Sequence, residues 1–317
     1  MMRSIFSLAA IALLAVGLQS CGSATGSETA VVTTGGMKDK AFNDYWYSGT
    51  AELSSYTVQQ ARYGEMHDGE AVLVFVTEPF SASKLVKLDY PDANPSDRVD
   101  VLKLNFTKKF FTGIYPYSMM TSVFTPVDYA QHPNTMKVST SSLEWCGHSF
   151  TQMEMVDDGG YNVTQHSYFE SEGEATWKLK GAVVEDGIWN QIRMNPQALP
   201  TGDIKAIPGS FSSRLRHVPL AVEKATATLA DHPTDGKLQR YSLNYTGTDR
   251  QLVIDFQKDF PHEIEGWEET YVSGFGAGAK KLTTKAKRKT TIKTDYWNKH
   301  NVEDAEWRKK LMLDGAP

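Results

Sequence analysis

The sequence predicts a mainly β protein: a strongly curved antiparallel sheet, or open half-barrel, with a short covering helix and a C-terminal helix. Three observations lead there. Apolar and polar residues alternate with period two along most of the chain, turn-forming pairs separate these runs, and only two segments carry helical spacing.

In chain order, His67-Asp68-Gly69-Glu70 sets an Asp-Gly pair between two β-prone runs, the strongest short hairpin signal. Ala71 to Val76 follows as an unbroken apolar run, which suits a strand buried on both faces. Leu102, Leu104 and Phe106 alternate with Lys103, Asn105 and Thr107, the pattern of a half-buried strand. Glu144 to Gln152 reads as part of one long strand. Asp157-Asp158-Gly159-Gly160 and Glu172-Gly173 then supply reversals, because glycine accepts positive φ without steric cost. Ala175, Trp177 and Leu179 alternate with Thr176, Lys178 and Lys180.

Asp186 to Met194 places Ile188, Trp189 and Ile192 on one side of a helix, capped by Asp186 and ended by Pro196. A short apolar helix in a strand-rich chain fits the concave side of a bent sheet. Thr234-Asp235-Gly236-Lys237 is a further turn, and Leu252, Ile254 and Phe256 form a further alternating run. Asn301 to Leu313 is the C-terminal helix, with Asn301 and Asp304 as its capping pair. Residues 42–317 therefore make one β-rich domain, or two β halves parted near residues 196–203, where Pro196, Pro200 and Gly202 interrupt the pattern.

The N-terminus carries a different signal. Arg3 is the only charge among the first twenty residues, and Ile5 to Leu18 is apolar apart from Ser7. That core is too short to span a bilayer permanently and has the length of a signal-peptide core. Leu18-Gln19-Ser20-Cys21 resembles the lipobox of bacterial lipoproteins. The resemblance implies that residues 1–20 are a signal peptide and that Cys21 carries lipid, including palmitate. Several acyl chains would anchor permanently, since each buried methylene adds about 0.8 kcal/mol. Residues 21–41, rich in Gly, Ser, Thr and Ala, read as a flexible tether. Gly22 and the absence of an acidic run point, by similarity to lipoprotein sorting signals, to a periplasm-facing outer-membrane location.

The chain holds 33 basic and 38 acidic residues, and losing Arg3 with the leader leaves 32 against 38, or −6. That balance argues against nucleic acid as a partner. With Cys21 acylated, Cys146 stands alone, which excludes an intrachain disulfide and CxxC metal sites.

Three groups of residues are candidates for chemistry. In an extended strand Glu144, Cys146 and His148 share a face, and a carboxylate, thiol and imidazole are the residue types of nucleophilic catalysis. Alternate residues lie about 6.5–7 Å apart, so the expected role of Cys146 is that of a small buried hydrophobe, with His148 on a wall or rim. Tyr115, Tyr117, Met119, Trp145 and Trp189 are candidates for an apolar ligand pocket. Lys281, Lys285, Lys287, Lys289 and Lys293 all occupy odd positions, so one face of a strand would present five ammonium groups to lipid headgroups or to solvent. The other histidines, His217 among them, show no metal-ligand spacing, and no phosphate-binding or nucleophile-elbow motif occurs, so neither metal nor cofactor is expected.

Val72 to Phe80 (VLVFVTEPF), Leu102 to Met120 (LKLNFTKKFFTGIYPYSMM), Glu144 to Met153 (EWCGHSFTQM) and Trp189 to Asp203 (WNQIRMNPQALPTGD) resemble a family of Bacteroidota lipoproteins whose members often carry the label "septum formation inhibitor Maf". That label implies a nucleotide pyrophosphatase with a Ser-x-Ser-Pro-Arg-Arg motif near its N-terminus. The nearest string here, Ser210-Phe211-Ser212-Ser213-Arg214-Leu215-Arg216, is mid-chain and lacks the proline, so no Maf residue carries over. Asp186 to Asp203 is also similar to a piece of periplasmic β proteins whose folds are like the half-barrels of lipoprotein carriers. The expected function is that of a non-enzymatic envelope lipoprotein binding a hydrophobic or envelope-derived ligand, or a protein partner. The alternatives are an envelope hydrolase or transferase using Cys146 and His148, and the pyrophosphatase that the label implies.

Overall fold

The computed structural model describes residues 40–129 and 132–313. The leader, Cys21 and most of the tether lie outside them. Its last residues, Lys40 and Ala41, instead begin helix α1 (Lys40–Trp46).

Among the described residues fifteen strands form one open sheet. They are β1 (Ala51–Arg62), β2 (Glu65–Ser81), β3 (Arg98–Thr112), β4 (Tyr115–Pro126), β5 (Lys137–Glu144), β6 (Gly147–Met155), β7 (Tyr161–Ser167), β8 (Glu174–Leu179), β9 (Val183–Val184), β10 (Gly202–Ile207), β11 (Glu223–Asp231), β12 (Leu238–Tyr245), β13 (Arg250–Gln257), β14 (Ile264–Ser273) and β15 (Lys280–Thr294). Two meanders, β1 to β8 and β10 to β15, join where β1 pairs antiparallel with β15, and only β9 runs parallel to its neighbour β10. The edges are β8 and β9. Laid flat, edges of fifteen strands would stand about 65–70 Å apart. Yet only Lys180, Gly181 and Ala182 separate β8 from β9 in sequence, a reach of about 14 Å. Chain connectivity therefore forces the sheet to curl.

Helices α2 (Glu185–Met194) and α3 (Ser210–Arg216) fill the hollow. Ile188, Trp189, Ile192, Phe211 and Leu215 pack among Leu102, Leu104, Phe106, Leu243, Ile254 and Trp267 in one continuous core. The N-termini of the two helices meet. Asp186 accepts the Ser210 backbone N–H at 3.0 Å and the Ser210 hydroxyl at 2.6 Å. Gly209 permits this approach, because a Cβ there would stand 2.5 Å from Glu185 Oε1. Around this junction lies a buried charge cluster. Arg250 donates twice to Glu185 at 2.6 Å and once to Glu269 at 2.8 Å, and the Lys108 ammonium rests 5.2 Å from the Phe211 ring. Burial pulls Lys108 down to about 8 and pushes the Asp186 carboxyl up to about 6.

From that junction the helices run to opposite ends of β1. Arg193, near the end of α2, meets Glu52 at the start of β1, and Arg62 at the end of β1 donates to the Leu215 carbonyl in the last turn of α3. Ten residues of strand, about 33 Å, separate Glu52 from Arg62.

The outer face is covered in two places: Ala82 and Leu85, between β2 and β3, pack against Phe80, Val99 and Val101, and the C-terminal segment covers the middle. Leu311 and Leu313, after helix α4 (Glu306–Lys310), pack on Leu53 and Val76, so β2 is buried on both faces and its continuous apolar run is explained. The Asp304 carboxylate accepts the Asn301 backbone N–H at 3.0 Å, as the capping pair predicts.

Three local expectations are corrected. His67 to Glu70 is not a turn; it lies within β2, and the reversal falls earlier, at Tyr63-Gly64, both with positive φ. Gly69 instead lets β3 approach, since a Cβ there would stand 2.4 Å from the Lys109 carbonyl oxygen. Glu144 to Gln152 is not one strand: Trp145 and Cys146 form the turn between β5 and β6, with Glu144 paired to Gly147. Finally, the β1–β15 register shifts between Ser55 and Tyr56, and this bulge reverses the alternation of β15.

Candidate functional site

The Arg62 end of the hollow collects polar side chains. Alternation along β1 turns Glu52, Ser54, Tyr56, Val58, Gln60 and Arg62 inward, so the face that starts with a carboxylate ends with a guanidinium. Arg62 Nη2 lies 3.2 Å from the Tyr63 hydroxyl, the Tyr117 hydroxyl and His217 Nε2. The Tyr63 hydroxyl is 2.7 Å from that of Tyr117, and the Tyr115 hydroxyl donates to Tyr63 at 3.0 Å.

On the far side of His217 the chain of contacts continues. His217 ends α3 in a left-handed conformation, which points its ring at the β7–β8 connection. His217 Nδ1 lies 2.6 Å from Glu172 Oε1, and Glu172 Oε2 accepts from Arg214 at 2.5 Å and from Ser167 at 2.6 Å. A carboxylate only accepts, so Nδ1 carries the proton and Nε2 accepts from Arg62. Burial, with Arg214 and Arg62 nearby, holds the imidazole below the ordinary histidine range despite Glu172. Against the cost of burial, hydrogen bonds from Ser167 and His217 and the Arg214 charge hold Glu172 below the usual carboxylate range. At neutral pH the ring is therefore uncharged, and Glu172 and Arg214 cancel.

Of these groups His217, Glu172 and Arg214 wall a cavity of about 320 Å³ between α3 and strands β6, β7 and β8. Ser149, Thr151, Gln165, Ser210 and Ser213 supply hydroxyl and amide groups, and Trp177 supplies an aromatic wall whose indole N–H is fixed on the Leu220 carbonyl at 3.0 Å. The same end holds unsatisfied buried polar atoms: Arg62 Nε, Thr112 Oγ1, Ser142 Oγ and Glu144 Oε2. Each unmet group costs roughly 1–3 kcal/mol, a cost that a polar ligand reaching these atoms would relieve; Trp46, Asn190 and Gln191 carry similar unmet atoms elsewhere in the core.

The residues singled out from sequence are distributed as follows. Cys146 is exposed in the β5–β6 turn, contrary to the expectation of a buried thiol, and His148 is exposed on β6. Among the described residues no hydrogen bond or ion pair joins Glu144, Cys146 and His148. The turn breaks the row on which a Cys–His mechanism depended. Of the pocket candidates, Met119 and Trp189 are core, Trp189 standing edge-on to Phe106 and Trp267. Trp145 is 68% exposed at a hairpin tip. Tyr115 and Tyr117 do reach the site, through their hydroxyls rather than their rings.

The lysines do not share one face. Beyond the bulge Lys293 turns toward the Tyr45 ring, 3.6 Å away, and Lys289 donates to the Met312 carbonyl. Lys281 pairs with Asp249 at 2.7 Å, Lys285 stands 3.6 Å from Glu268, and Lys287 is exposed. Ser210 to Arg216, the nearest string to a Maf motif, forms α3. Among the described residues no cluster of His, Cys, Asp and Glu is arranged to hold a metal ion, and no helix is long and apolar enough to cross a membrane.

Arg62, Glu172, Arg214 and His217 were not distinguished by sequence. They are joined across separations of 155 and 45 residues, Arg62 to His217 and His217 to Glu172, so no local spacing marks them. The one available signal was an arginine at an inward position of an otherwise half-apolar strand. No protein-family model matches the chain, and no curated protein and no solved structure matches it.

Proposed function

We propose that the chain is a membrane-anchored envelope lipoprotein that binds a ligand without transforming it, and that a polar, uncharged part of the ligand enters the cavity beside His217. The observation that carries this reading is the set of buried polar atoms without partners at the Arg62 end, next to a cavity lined by hydroxyl, amide and aromatic groups. At about 320 Å³ the cavity is at the small end of ligand sites, which run from about 300 to 1,000 Å³. Within the cavity wall the Glu172 and Arg214 charges cancel, so a neutral ligand rich in hydroxyl and amide groups, such as an envelope saccharide, suits this lining better than an apolar or ionic one. The apolar hollow that a purely hydrophobic ligand would need is taken up by α2 and α3.

Binding is favoured over catalysis because both ring nitrogens of His217 are engaged, which leaves no lone pair for a general base. The anchor rests on Leu18 to Cys21. Two measurements test the two halves separately. Palmitate incorporation in cells is expected for the wild type and lost in Cys21→Ser; incorporation that survives the substitution removes the anchor. Tryptophan fluorescence titrated with N-acetylglucosamine oligomers is expected to change saturably in the wild type and not in Ala175→Phe, which fills the cavity. No saturable change, or the same change in both, removes the saccharide reading.

A further inference from the structure

We propose that the Arg62 end of the sheet docks on a lipid bilayer through the tips of five neighbouring hairpins. In sheet order these are the β7–β8, β5–β6, β3–β4, β1–β2 and β14–β15 connections, all at one end because their strands pair antiparallel in sequence. Each tip exposes a large apolar side chain: Tyr168, Trp145, Ile114, Tyr63 and Phe275, with Phe111 beside Ile114. Ile114 is 81% exposed.

Two features choose the occupant. Neighbouring tips are two strands, or about 9–10 Å, apart along a curved line. Separate prongs of this kind fit between lipid headgroups, whereas a stable protein interface needs a continuous packed patch of roughly 800 Å² per partner. The residue types agree, since Trp and Tyr concentrate where one side of a ring is apolar and the other wet. The charges at these tips and the adjoining β12–β13 turn are mixed: Lys109, Lys280 and Lys281 stand among Glu65, Glu170 and Asp249, with Lys281 paired to Asp249. Attraction therefore comes from apolar insertion, not from a basic patch.

Chain length permits this pose for an anchored protein. The described chain starts at Lys40, before β1 and so at the opposite end, but the 19 residues from Cys21 reach up to about 65 Å, further than the roughly 33 Å from Glu52 to Arg62. Docking does not itself require the anchor, and the test leaves the anchor out.

The segment 34–317, whose described residues belong to one compact unit, serves as the test protein. Co-sedimentation with phosphatidylcholine vesicles is expected, little changed by added phosphatidylglycerol or by high salt, with Trp145 quenched by brominated lipid. The combined variant Phe111→Ser, Ile114→Ser and Trp145→Ser alters only exposed side chains. It should keep the wild-type circular dichroism and lose roughly tenfold or more in vesicle affinity, because binding scales with the apolar area inserted. The proposal is overturned by failure to bind either vesicle, by affinity unchanged in the variant, or by binding only to anionic vesicles at low salt. A dimer of the wild-type segment that the variant dissociates would give the tips to a second copy, and would overturn it too.

Discussion

Arg193 and Arg62 are both buried and lie at opposite ends of the same central strand, yet their surroundings differ. Arg193 is gripped by both carboxylate oxygens of Glu52, its Nε donates to the Pro261 carbonyl at 2.9 Å, and the Phe75 ring lies 4.9 Å below it. The Tyr45 hydroxyl donates to Glu52 as well. Every polar atom of that pair has a partner and the charges cancel. Arg62 has neutral partners only, three of them at 3.2 Å, and its Nε has none. A buried charge fully matched within the chain holds the fold together. One held by the Leu215 carbonyl and by long contacts to hydroxyls and an imidazole, with its Nε unpartnered, leaves capacity for an incoming group, at the end where the cavity and the exposed tips lie.

The comparison can be broken most decisively at Glu52. Glu52→Ala strands the Arg193 charge in the core and should cost about 3–5 kcal/mol, whereas Glu52→Leu with Arg193→Met should recover most of that loss. Equal instability of the single and double variants in urea would show that the pair matters for its packing and not for its charge.

The junction between the two ends gives a smaller effect of opposite sign. The folded-state pKa of Asp186 is raised from 3.8 to about 6. The native state therefore binds more protons than the unfolded state between those values, and stability falls as pH rises through that window. Asp186→Asn keeps an acceptor for Ser210 and removes the buried charge, so it should stabilise at pH 7 by about 1–2 kcal/mol and give no gain below the unfolded value of 3.8. Urea midpoints measured across that range check it; a destabilised variant at pH 7 would mean that the ionised form caps α3.

The smallest effect belongs to His217. Its folded pKa is depressed below 6.5, so the neutral ring contributes stability that is present above that value and lost as pH falls through the folded pKa. His217→Gln should flatten the acid limb of the stability curve, and an unchanged limb would assign it to the carboxylates alone.

How much of this was legible depended on the range of the interaction. The alternations at Leu102 to Thr107, Ala175 to Lys180 and Leu252 to Gln257 marked strands because burial of one face leaves a local record. The helix from Asp186 to Met194 was legible for the same reason. The turn at Trp145-Cys146 was not, because neither residue is a turn former and the alternation continues through it. The five lysines misled because a β-bulge, which no residue in β15 announces, reverses their faces. The site itself was the least legible: Tyr115 and Tyr117 were found for their aromatic rings, but their hydroxyls are what matter, and Arg62 and His217 meet only once the sheet has curled.

The central claim, that Arg193 serves the fold while Arg62 is held for a partner, is tested most directly by comparing Arg62→Met with Arg193→Met in urea unfolding at pH 7. The expected result is a loss of about 3–5 kcal/mol for Arg193→Met against about 1 kcal/mol or less for Arg62→Met, because removing an uncompensated buried charge offsets the hydrogen bonds lost with it. Equal losses at the two ends would contradict the claim.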